Sequence, residues 1–169
     1  MTEPIQNVLL YRLGSLGDSL LALPAFHLVR RRFPRAKITF LSNVPVHIKA
    51  APLLEIVTNT TLCNEVVEYP IRLRNPFQLL RLARKLRSGR YNLVVHLTAS
   101  RGLASSIRDY LFFRYCGIKR VMGVPIFKED LVCRYLPLFR RYEWEAERLG
   151  YLRSAPYTRR DSTSRQIRC

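Results

Sequence analysis

The chain has 169 residues, 48% of them hydrophobic, which suits one domain of ordinary size with a sizeable core. Twenty-nine basic residues, 24 of them arginine, stand against 12 acids for a net charge of +17, so the partners to expect carry carboxylate or phosphate: nucleic acid, an anionic membrane surface or a phosphorylated sugar. Four scattered cysteines without a C-x-x-C pair argue against zinc and against a disulfide framework, and no signal peptide or run of ~18 apolar residues is visible, so a reduced, cytoplasmic chain with at most peripheral membrane contact is expected.

In chain order, Ile5–Leu10 predicts a strand and Ser19–Phe33 a helix. Pro24 must kink or restart that helix, and Pro34 ends it. Lys37–Leu41 predicts the second strand, 46–54 a short helix limited by Pro52, and Glu65–Tyr69 the third strand. Pro76–Arg87 predicts a helix whose apolar stripe comprises Phe77, Leu79, Leu80, Leu82, Ala83 and Leu86, with Arg81, Arg84, Lys85 and Arg87 opposite. Leu93–Leu97 is a continuous apolar strand of the kind buried on both faces. Leu103–Tyr115 predicts a helix, Arg120–Gly123 a strand, and 142–152 a last helix. Residues 154–169 are polar and aperiodic, as in an unstructured tail. Strands alternating with helices imply right-handed βαβ units and a Rossmann-like parallel sheet with helices on both faces.

The candidate site begins where the first strand ends, at Arg12-Leu13-Gly14-Ser15-Leu16-Gly17-Asp18. Gly14 and Gly17 permit a tight turn, and Ser15 with the neighbouring backbone N–H groups offers donors to hydroxyls or phosphate. The spacing is not G-x-G-x-x-G, and no Gly-Lys-Ser/Thr follows, so neither a dinucleotide fingerprint nor a P-loop is present. Asp18 would serve either as a helix N-cap or as a ligand-facing base. Arg12 would pair with an anionic ligand group, with Asp18, or with solvent. His96 would touch a ligand or be a satisfied histidine at a strand end. Asp109 and Asp130 read as surface acids. Neither His27 nor His47 has a metal-ligand partner at useful spacing, and no Asp-x-Asp pair suggests a metal-dependent transferase.

The segment from Arg12 to Asp18, with Leu23-Pro24-Ala25 and Arg30-Arg31-Arg32-Phe33-Pro34, resembles the N-terminus of glycosyltransferase family 9, the ADP-heptose:lipopolysaccharide heptosyltransferases. Lys37–Leu41, Ala51-Pro52-Leu53-Leu54, Tyr91–Val95 with Ser100-Arg101-Gly102, Lys119–Val124 and Glu145–Gly150 are similar to later segments of that family, so the resemblance runs from residue 5 to about 153. It implies the N-terminal, acceptor-binding domain of a GT-B enzyme over residues 1–153, with the C-terminal donor domain absent and a truncated chain that is inactive by itself. It implies an inverting, metal-independent transfer with Asp18 as general base, no cofactor, and ADP-heptose or a related nucleotide sugar as donor. The acceptor would be an anionic glycolipid of the lipopolysaccharide inner core, met at the inner membrane. Arg12, Gly14, Ser15, Gly17, Arg72, Arg74 and Arg101 would hold it, the last three from loops after strands. A separately encoded donor domain would be a partner. Charge alone would instead suggest a nucleic-acid-binding module, with Phe112, Phe113, Arg114 and Tyr115 as its aromatic–basic stretch, or the chain would be an inactive gene fragment.

Overall fold

The computed structural model describes residues 4–13, 20–43, 60–69, 75–98 and 101–125, and two short strands at 135–136 and 141–142. The elements in order are β1 (Asn7–Tyr11), α1 (Leu23–Arg32), β2 (Lys37–Asn43), β3 (Glu65–Tyr69), α2 (Pro76–Ser88), β4 (Leu93–His96), α3 (Leu103–Tyr115), β5 (Arg120–Met122), β6 (Tyr135–Leu136) and β7 (Arg141–Tyr142). The first five strands form one parallel sheet in the order β3-β2-β1-β4-β5. The last two pair antiparallel as a separate ribbon.

Alternation along the strands builds two cores, because successive side chains point to opposite faces. Val8 and Leu10, Ile38 and Phe40, and Leu93 and Val95 share one face with Ala25, Phe26 and Val29 of α1. Phe26 meets Phe40 edge to face, with ring centroids 4.6 Å apart. Leu9, Tyr11, Leu41, Val67 and Val94 share the other face with Leu82, Ala83 and Leu86 of α2 and Phe113 of α3. Helices therefore cover both faces, and the continuous apolar runs of β1 and β4 are accounted for. Each fully buried large side chain contributes roughly 1.5–3 kcal/mol.

Local chemistry sets the element ends. Leu20 and Leu21 are helical, Ala22 is a turn, and the helix re-forms at Leu23 with Pro24 in its first turn, so the proline restarts the helix rather than kinking it. Asn75 caps α2, its side chain accepting the Phe77 N–H at 2.9 Å, and Pro76 follows. At the amino edge of the sheet, Asn92 Oδ1 accepts the N–H groups of Gln6 and Asn7, and Asn64 Oδ1 accepts that of Ile38.

Two expectations are corrected here. Phe77, Leu79 and Leu80 of α2 are exposed, and only Leu82, Ala83 and Leu86 are buried. At about 3.6 residues per turn, Phe77 and Leu80 lie on the side of the helix away from Leu86. Leu79 shares the inner side but belongs to the exposed first turns. Tyr142 pairs in β7 instead of starting a helix. The helix expected at 46–54, the rest of the one at 142–152 and the tail at 154–169 lie outside the described residues.

Candidate functional site

The strand order reverses beside β1. The chain runs outward through β2 and β3, then α2 carries it back to β4 on the other side of β1. In open α/β sheets the crevice beyond the carboxyl ends of two such strands is where ligands bind. Here it is floored by Arg12 and Leu13 after β1 and by Leu97 and Thr98 after β4.

These four residues are locked together. The Leu97 N–H donates to the Tyr11 carbonyl at 2.7 Å, and the Leu13 N–H donates to Thr98 Oγ1 at 3.1 Å. The Arg12 N–H donates to the Leu41 carbonyl at 3.1 Å, tying in β2. The Arg12 guanidinium donates through Nη1 to the Leu97 carbonyl. Arg12 is only 1% exposed, so its solvent-facing alternative is excluded. A buried guanidinium needs its donors satisfied, and here a backbone carbonyl of the neighbouring strand takes one.

A polar cluster lies against the α3 side of the same strand ends. Tyr11 and His96 are register partners on β1 and β4, and their rings meet edge to face at 5.1 Å. The Tyr11 hydroxyl is 3.3 Å from the Tyr69 hydroxyl at the end of β3. His96 Nε2 stands 3.5 Å from Asp109 Oδ2, an ion-pair distance longer than a good hydrogen bond. Arg108 donates to Asp109 Oδ1 from Nη2 at 2.8 Å and from Nε at 3.1 Å. Burial alone would raise the Asp109 carboxyl, but the facing His96 and the Arg108 guanidinium outweigh it and hold the carboxyl below its ordinary range. Burial raises both phenols, Tyr69 to about 12, against an opposing pull from the Arg101 charge.

This cluster corrects one reading of the sequence. Asp109 is no surface acid: its side chain is 13% exposed and faces His96. The helical period shows why, since Ser106, Asp109 and Phe113 fall on one stripe, and Ser106 and Phe113 are buried. That stripe was available in the sequence. Among the described residues neither His96 ring nitrogen has a hydrogen bond of good geometry, and Nε2 faces the Asp109 carboxylate instead.

Arg101 is exposed just before α3, and Gly102 at its N-cap has φ +94°. Gly123, after β5, has φ +77°, and a Cβ there would come 2.6 Å from the His96 carbonyl oxygen. Only glycine allows β5 to leave the sheet so close to β4. The remaining proposed site residues, Gly14, Ser15, Gly17, Asp18, Arg72 and Arg74, lie outside the described residues, as does Asp130. Among the described residues no group of three His, Cys, Asp or Glu side chains could hold a metal ion.

No family model and no curated protein matches the sequence. Solved structures do. The chain is similar to the E. coli heptosyltransferase WaaC solved with ADP, at a TM-score of 0.59 and 17% identity, over 93% of this chain and 50% of that one. It is also similar to a family 9 glycosyltransferase from Veillonella parvula, at 0.53 and 18%, over 72% of this chain and 32% of that one. The fold is that of family 9 glycosyltransferases. The chain thus spans half or less of the length of these two structures. At such identity the likeness speaks to the fold, and the chemistry must be argued from the residues.

Proposed function

We propose that the chain is the acceptor-binding half of a heptosyltransferase-like glycosyltransferase. One observation carries this reading: the sequence Gly14-Ser15-Leu16-Gly17-Asp18 directly follows the Arg12–Leu13 floor of the switch-point crevice, in a fold shared with a heptosyltransferase. Asp18 would accept the proton of an acceptor hydroxyl as that oxygen attacks the anomeric carbon of the donor sugar. One direct displacement inverts that carbon and requires no metal. The donor would be ADP-heptose or a related nucleotide sugar, bound mainly by a second domain. The acceptor would be the anionic inner core of lipopolysaccharide, met at the cytoplasmic face of the inner membrane. Arg101 would reach its anionic groups from the α3 side, with Gly14, Ser15, Gly17, Arg72 and Arg74 completing the grip.

Buried Arg12 would act differently from the surface arginines. Its guanidinium joins β4 to β1, so it would hold the crevice open at a fixed width rather than capture ligand from solvent. The nucleic-acid alternative has less support. Of its aromatic stretch, Phe113 is 1% exposed and packs in the core.

The test is acceptor binding and transfer in detergent. The chain should bind a Kdo–lipid A acceptor alone, and should transfer heptose from ADP-heptose only when joined to a donor half. Asp18→Ala in that joined enzyme should lower kcat by ~10²–10⁴-fold and leave acceptor binding nearly intact. Unchanged turnover would remove Asp18 from the mechanism, and absence of acceptor binding would remove the reading itself.

A further inference from the structure

The outward faces of α2 and α3 carry a pattern that the core does not use. In α3, Leu103, Ile107, Leu111 and Tyr115 recur at every fourth position and so line up along the helix. They are 46%, 43%, 59% and 58% exposed. Single exposed leucines are ordinary, but a ladder of four is a continuous apolar line. In α2, Phe77 is 79% exposed, and Leu80 shares its outer side with Arg81 and Arg84. Both helices cover the same face of the sheet. The Arg87 guanidinium lies 5.9 Å from the centre of the Tyr115 ring, which brings α2 and α3 together at their C-terminal ends. Across Pro76–Ser88 there are four basic side chains and no acid.

We propose that this α2–α3 face seats the protein on an anionic lipid bilayer. The ladder and Phe77 enter the boundary between headgroups and acyl chains, and the arginines meet lipid phosphates. Apolar residues flanked by arginine are the chemistry of an interfacial helix, and each basic residue near an anionic surface adds attraction. Three other occupants fit less well. A second copy would set two strongly basic faces against each other. Nucleic acid would stack on Phe77 and Tyr115 but leave Leu103, Ile107 and Leu111 without an apolar partner. A second domain closing over the crevice would meet the strand ends rather than the outer helix faces. The proposal rests on the glycolipid reading for the source of its bilayer, but it can be tested with no glycolipid present.

The experiment is co-sedimentation of the full chain with vesicles of mixed phosphatidylethanolamine and phosphatidylglycerol, and with phosphatidylcholine alone. Binding is expected to the anionic vesicles, to weaken with salt, and to be poor on the neutral ones. Ile107→Asp with Leu111→Asp, and separately Arg81→Glu with Arg84→Glu, should each weaken binding at least about tenfold. These side chains are exposed, so thermal melting should stay unchanged and show that the variants are folded. Wild-type chain that ignores anionic vesicles overturns the proposal, and so do variants that bind as well as wild type. Vesicle binding with no acceptor binding in detergent would leave this surface standing and remove the acceptor site. Acceptor binding with no vesicle binding would do the reverse.

Discussion

Under α1, the sheet presents a face of aliphatic and aromatic side chains sealed by Ala25, Phe26 and Val29. Under α2 and α3, the same strands present Tyr11 and His96 among their apolar residues, with Asp109 set against them from the helix. One strand pair, β1 and β4, thus serves as plain packing on one side and as a polar cluster on the other. The side chains that face α1 need no partner but shape. Those that face α3 need charge and hydrogen-bond partners, and His96 lacks a hydrogen bond of good geometry among the described residues. Ionisable groups gathered at the carboxyl ends of strands are expensive as packing, which is why that side is the one to search for function.

The contrast can be broken most strongly on the apolar side. Phe26→Ala should cost about 3–5 kcal/mol, because it removes a ring held edge to face on Phe40 and leaves a cavity. Thermal or urea unfolding would measure it. The polar side should yield smaller effects that depend on pH. Asp109→Asn should cost about 1 kcal/mol near neutral pH, a figure kept low because Arg108 is solvent-accessible. Since folding lowers the Asp109 pKa, the unfolded chain binds more protons over the window between the two values. The stabilisation is therefore complete above the unfolded value of about 3.9 and is lost as pH falls through the lower folded value. Melting from neutral to strongly acidic pH should show a shallower acid limb for Asp109→Asn than for wild type; parallel limbs would mean that the ion pair adds nothing. Least of all, Tyr69→Phe should cost about 0.5 kcal/mol, because the hydroxyl pair is long at 3.3 Å.

Much of this fold could be read in advance. Short apolar runs placed β1, β2, β3 and β4 within two residues of their ends, and Glu65–Tyr69 and Leu103–Tyr115 fell on their predicted bounds. One failure was of location, since Tyr142 pairs in β7 where a helix was expected to start; the others were of facing. In α2, apolar identity was taken for burial, although Phe77 and Leu80 turn outward among arginines. In α3, charge was taken for exposure, although Asp109 shares the stripe of Phe113. Both errors have one physical source: a residue's side of a helix follows from its angle and not from its polarity. Arg12 was hidden for another reason. Its partner is the Leu97 carbonyl, and backbone groups leave no mark in composition.

The Arg12–Leu97 and Leu13–Thr98 bonds each join residues 85 positions apart. A ribosome making this chain therefore releases β1, β2 and β3 well before β4 exists. Until α2 has crossed back, one edge of β1 has exposed N–H and C=O groups and an adhesive apolar flank. The crevice itself is assembled only when the second stretch arrives, so its formation is a late, non-local step in folding. A nascent chain stalled after β3 would have most of its α1 core but no crevice, and its open β1 edge would be the place where chaperones or stray strands attach.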